Sequence, residues 1–136
     1  MAAPDNRPPS TVMPDLVLSR EFRAPRTLVW QAWTDPAHIV KWWGPHRFTC
    51  PHAEIDLRPG GALSFDMQGP DGQVFPCPGT VIEVAEPERL VMTTRIEHEG
   101  AVLVEVQHTV TFEERGGATT VTLRASVLGA TDAGMA

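Results

Sequence analysis

His108 is the side chain whose setting says most about chemistry. It falls in the run Val102, Val104, Val106, His108, Val110, Phe112, which alternates with Glu105, Gln107, Thr109 and Thr111. Strand parity therefore puts one ionisable ring in a row of apolar residues; Leu103 is the exception on the polar side. A buried imidazole needs partners for both ring nitrogens. Either His108 is a core histidine satisfied by its neighbours, or it is one of the few polar fixtures that orient a ligand in an apolar cavity. As a general acid or base it would want a carboxylate nearby, and parity sends Glu105 and Asp66 to the opposite face.

Other constellations carry less. His46, Cys50 and His52 share one side of an extended segment, yet Pro51 interrupts the ladder and no fourth ligand follows at a zinc spacing, so no metal is expected. Cys50 and Cys77 should lie on strands separated by the one carrying Leu63 to Met67. That is about 9.6 Å, beyond the ~7 Å limit for a bridge, and both are expected as free thiols. Arg58, Glu83 and Arg95 suit a charged rim, though a solvated face is the commoner meaning of such charges. No nucleophile elbow, phosphate-binding glycine loop or zinc-protease motif occurs, so no catalytic residue and no cofactor is assigned. Trp30, Trp33, Trp42 and Trp43 crowd one short stretch, either as anchors of local helices or as the lining of a pocket mouth.

The elements that would position these residues follow from spacing. Residues 1–14 contain Pro4, Pro8, Pro9 and Pro14 without apolar periodicity and read as a disordered tail. Leu16, Leu18 and Phe22, set against Val17, Ser19, Arg20 and Arg23, suggest a first strand. Pro25 suits the first turn of a helix with Val29, Ala32 and Trp33 on one face and Trp30 beside it. Asp35-Pro36 suits the start of a second helix holding Ile39, Val40, Trp42 and Trp43. From Phe48 to Val127 the chain reads as strands joined by turns at Arg58-Pro59-Gly60-Gly61 and Gly69-Pro70-Asp71-Gly72. Leu63, Phe65 and Met67 alternate with Ser64, Asp66 and Gln68, and Val121, Leu123, Ala125 and Val127 with Thr120, Thr122, Arg124 and Ser126. A sheet with one apolar face must be covered on that face.

The 136 residues carry 11 basic and 17 acidic side chains, a formal net charge of −6. Such a field repels phosphate backbones, so nucleic acid is not an expected partner. No window resembles a membrane span and the start lacks the apolar stretch of a secretory signal, which together suggest a cytoplasmic protein.

Several spaced motifs then resemble a known family: Phe22-Arg23-Ala24-Pro25, Val29-Trp30 with Ala32-Trp33-Thr34-Asp35-Pro36, and Trp42-Trp43-Gly44-Pro45. Asp56-Leu57-Arg58-Pro59-Gly60-Gly61, Gly69-Pro70-Asp71-Gly72 and Pro87-Glu88-Arg89-Leu90 continue the series. From about Leu16 to about Val127 the chain is similar to the domain of the activator of heat-shock protein 90 ATPase, within the START-like (SRPBCC, polyketide cyclase/birch pollen allergen-like) superfamily. The resemblance implies an α+β helix-grip fold over residues 15–128: a curved antiparallel sheet of about six or seven strands, two short helices after the first strand, and a long C-terminal helix in the grip. That helix should begin about where this sequence ends, so it is expected to be missing, with 129–136 truncated or frayed and the groove open to self-association.

The expected function is binding of a hydrophobic small molecule, more a binding module than an enzyme. The cavity is assigned to Trp30, Trp33 and Trp43 from the helices, Leu63, Phe65 and Met67 from one strand, Val104, Val106, His108 and Val110 from another, and Leu123 from the last. The resemblance admits two alternatives, a protein-interaction module that engages a chaperone and a cyclase- or hydratase-like enzyme.

Overall fold

Proline followed by glycine at the centre of a four-residue turn presets a type II geometry, because only glycine takes positive φ freely. Arg58-Pro59-Gly60-Gly61 adopts it: Gly61 N–H donates to the Arg58 carbonyl at 2.8 Å and Gly60 has φ +83°. At the second turn Gly72 N–H donates to the Gly69 carbonyl at 3.0 Å, and the Asp71 carboxylate accepts from Gln73 N–H at 3.0 Å. These turns reverse the chain where the spacing says they should.

The computed structural model describes residues 15–44 and 46–130. In chain order they form β1 (Leu16–Phe22), α1 (Arg26–Thr34), α2 (Pro36–Ile39), β2 (Thr49–Ile55), β3 (Ala62–Gln68), β4 (Val74–Phe75), β5 (Pro78–Ala85), β6 (Arg89–His98), β7 (Ala101–Arg115) and β8 (Ala118–Ala130). All strands join one antiparallel sheet ordered β1-β8-β7-β6-β5-β3-β2, with the two-residue β4 on β3 as an eighth. This is the α+β half-barrel of a helix-grip fold, with both short helices after the first strand. No helix follows β8 among the described residues. Gly129 and Ala130 still pair with Glu105 and Val104; the proposed tail at 1–14 and the final six residues lie outside the described residues.

Pro25 sits one place before the helix that was expected to contain it. It is the N-cap of α1, with φ −65° and ψ 152°, so its ring stiffens the entry. Asp35 caps α2 as expected, its carboxylate accepting from Ala37 N–H at 2.9 Å. The second helix is a single turn that ends before Val40, and Trp42 and Trp43 N–H both donate to the Ile39 carbonyl, at 3.1 and 2.9 Å, in the turns that follow.

Three extra residues curl the long strands. Ile96 faces Val104 while Glu97 faces Val102, which makes Leu103 the bulged residue and explains why it breaks the alternation. The inner row of β7 therefore begins at Val104, and Val102 is exposed instead of facing inward. Ile82 and Leu128 are bulged in the same way, where Val81 and Glu83 face Met92 and Val91, and Val106 and Glu105 face Val127 and Gly129. Bulges bend a sheet, and this one wraps its inner face around Leu63, Phe65, Val81, Leu90, Met92, Val110 and Phe112.

Gly79 sits where β5 runs between β3 and β6, facing Leu63 and Thr94. A Cβ there would overlap the Thr93 carbonyl, whereas one at Gly129 meets nothing within 4 Å. Overpacking against backbone costs roughly 1–3 kcal/mol or more. Gly79→Ala is expected to lower stability by more than about 2 kcal/mol in urea unfolding, and Gly129→Ala by less than about 0.5 kcal/mol. Equal midpoints for Gly79→Ala and the parent would contradict the β5–β6 register.

Candidate functional site

The tryptophans divide into two pairs with different work. Trp30, 4% exposed, meets Phe112 edge-on at 5.2 Å and pins α1 to β7. Trp43 meets Phe65 at 5.0 Å and His108 at 5.7 Å, pinning the turn after α2 to β3 and β7. Trp33 and Trp42 pack together at 4.6 Å, and the Trp42 indole N–H donates to the Ala32 carbonyl at 2.8 Å. This second pair lines the edge of a cleft, with Trp33 also packed against the core.

His108 points inward as parity requires, with its register partners Met92 and Ala125 on either side. Its Nε2 is 2.9 Å from the Thr94 hydroxyl, itself on a buried residue. Burial pushes the imidazole down to about 4, because the charged ring has lost water and gained no carboxylate. Burial also raises both thiols, Cys77 to about 11 despite the Thr94 hydroxyl that bonds it. Both cysteines are free and buried, with the Cys50 thiol donating to the His52 carbonyl at 3.3 Å. His52 faces Glu54 at 3.5 Å, and no group of three metal-ligating side chains assembles among the described residues. Arg58, Glu83 and Arg95 form no common rim: they pair separately with Asp56, Arg89 and Glu97.

The cleft lies between β1, β8 and α1 and has a volume of about 530 Å³. Leu18 and Phe22 of β1, Val121 and Leu123 of β8, and Leu28, Val29, Ala32 and Trp33 of α1 make its walls, with Ala24 at one end and Trp42 closing a side. Leu18 and Leu28 are more than half exposed, at 54% and 55%. Ser19 and Arg20 supply the polar lining. A second hollow of about 530 Å³, around Arg26, Glu88, Arg89 and Glu114, is lined by charges that partly neutralise each other, with Arg26 3.8 Å from Glu88.

Of the cavity residues expected from the sequence, the cleft brings together Trp33 and Leu123. Trp30, Leu63, Phe65 and Val110 are packed into the core, Met67 is buried on β3, and Trp43 packs against that core. Val104, Val106 and His108 are half-buried on the inner face of β7, one strand from β8. The sequence reading missed the β1 side of the cleft. The alternation of Leu16, Leu18 and Phe22 was there to be used, but nothing local tells that the first strand pairs with the last. Arg20, grouped by sequence with the polar side of β1, has the parity of Leu18 and Phe22 and faces Val121.

A family profile described as activator of Hsp90 ATPase homolog 1-like protein matches residues 23–135. Among solved structures the chain is similar to a protein of Nitrosomonas europaea, 31% identical over 89% of this chain and 78% of that one, with a TM-score of 0.73. A Mycobacterium smegmatis protein is 29% identical over 89% of this chain and 76% of that one, TM-score 0.69. A protein of Aeromonas hydrophila described as AHSA1-like is 26% identical over 82% and 74%, TM-score 0.64. No curated protein matches. No helix among the described residues is long and apolar enough to cross a membrane.

The lowered His108 value has a consequence for stability. The unfolded chain takes up its proton near pH 6.5 and the folded chain only near 4, so the contribution of neutral His108 is complete above 6.5 and is lost as pH falls between these values. The parent should lose about 2 kcal/mol from this group between pH 7 and pH 4.5, and His108→Leu should lack that part of the slope. Urea titrations at the two pH values measure it; parallel slopes would mean that the ring is solvated.

Proposed function

The chain belongs to the activator of Hsp90 ATPase homolog 1-like family, and from that premise we propose that it binds an apolar small molecule in the cleft between β1, β8 and α1. The observation that carries this reading is the cleft itself. Its volume of about 530 Å³ falls inside the roughly 300–1,000 Å³ of small-molecule sites, and its walls are leucine, valine, phenylalanine and tryptophan. Fully covering an exposed leucine contributes about 1.5–3 kcal/mol, and more than half of Leu18 and of Leu28 is still open to a ligand.

In this reading Trp33 and Leu123 touch the ligand. Val104, Val106 and His108 extend the apolar face beside it, while Trp30, Trp43, Leu63, Phe65, Met67 and Val110 hold the floor rigid. The role is carriage or sensing, since the groups with shifted acidity, Cys50, Cys77 and His108, lie away from the cleft walls. The two free, buried thiols support a reducing compartment such as the cytoplasm.

Nile red, a neutral and environment-sensitive dye, is the probe. The parent should bind it with a blue-shifted emission while sedimenting as a monomer. Ala32→Phe, which fills the cleft from α1, should weaken binding about tenfold, and Val74→Ser on distant β4 should leave it unchanged. Undiminished binding to Ala32→Phe would place the site elsewhere, and dye uptake only by a dimer would make the cleft an interface.

A further inference from the structure

Arg20 is the ionisable residue in the lining of the cleft. Its placement follows from register: Leu18 faces Leu123 and Arg20 faces Val121, so three apolar walls of the cleft share a face with one guanidinium. A long cationic side chain on such a face can cover apolar surface with its stem while its head stays in water.

Among the described arginines, Arg20, Arg23, Arg47 and Arg115 reach no carboxylate, and of these Arg20 is the one that lines the cleft. Arg26, Arg58, Arg89, Arg95 and Arg124 each reach a carboxylate, at 3.8, 2.8, 3.1, 3.7 and 3.1 Å. The Arg20 side chain has no carboxylate or hydrogen-bond partner among the described residues, although its backbone pairs with Val121. Acidic residues exceed basic ones, 17 to 11, so carboxylates are plentiful in the chain yet none is placed here. The neighbouring Ser19 hydroxyl is engaged with Thr122 at 2.9 Å. An unpaired planar fork of donors beside an apolar wall suits a ligand with a single anionic end and a hydrocarbon body.

We propose that the ligand of this cleft is an apolar monocarboxylic acid, held by its carboxylate at Arg20 with its hydrocarbon part against Leu18, Leu28 and Leu123. This rests on the cleft being a small-molecule site. One cation matches one negative charge; a phosphate monoester, carrying up to two, would leave charge unpaired in the field of a chain whose net charge is −6.

The test compares decanoate with 1-decanol, both below their aggregation limits, binding to the full chain by calorimetry and by quenching of Trp33 and Trp42. The parent is expected to bind decanoate more tightly than decanol. Arg20→Gln should cost decanoate about tenfold and leave decanol unchanged, and Arg20→Lys should restore part of the loss. Thermal unfolding of the variants confirms that the fold is kept. If Arg20→Gln binds decanoate as the parent does, or loses both ligands equally, the carboxylate is not held at Arg20 and this inference fails while the cleft stands. If the parent binds neither ligand and Nile red is also silent, the cleft reading itself fails and takes this one with it.

Discussion

A sheet that is apolar on one face has to keep that face from water, and here two short helices are the described elements that lie across it. α1 has nine residues and α2 four, too short to hold themselves together in water, so their stability comes from packing. Trp30 against Phe112 and Trp43 against Phe65 supply large contacts at the two places where the helical segment meets the sheet. The Thr119 hydroxyl, buried on β8, adds a bond of 2.7 Å to the Ala24 carbonyl just before α1. Remove these anchors and nothing local would keep the segment on the sheet.

The same constraint makes the cleft. With Trp30 on Phe112 and Trp43 on Phe65 as anchors, α1 packs on β7 and β8 and α2 on the far edge strand β2. All seven residues of β1 are exposed, although four of them have the parity of the core face. Leu18, Phe22 and Leu28 thus face each other across a space that Trp33, Trp42, Val121 and Leu123 bound on other sides. Among the described residues, the cleft is the space the helices leave beside β1.

Polar groups inside the fold are treated differently from those at the cleft. Thr94 gives His108 and Cys77 a hydroxyl to bond, and burial then holds the ring neutral and the thiol protonated. The indole N–H of Trp43 is buried without a partner, a cost offset by the ring's contacts with Phe65 and His108. Among the described residues the inner face thus holds hydrogen-bonded polar groups at Thr94 and His108, while Arg20 lies in the lining of the cleft at its edge.

What the sequence by itself determined was local. Asp35 before Pro36 caps a helix, Pro59-Gly60 turns the chain, and period-two runs on β3, β7 and β8 show which side chains face the core, because each of these rests on neighbours a few residues apart. Leu103 broke the pattern visibly, but its meaning as a bulge needed the partner strand. The sheet order was decided by tertiary structure alone: β1 pairs with β8 across more than a hundred residues, and no local spacing encodes which strands meet. That pairing sets Leu18 against Leu123 and Arg20 against Val121 at the edge of the sheet, while Phe65 packs against Trp43 in the core. Inward side chains thus divide between the packed core, as with Phe65 and Val110, the half-buried inner face, as with Val104, and the cleft, as with Leu123, since facing inward is a property of a strand and lining a space is a property of the whole packing.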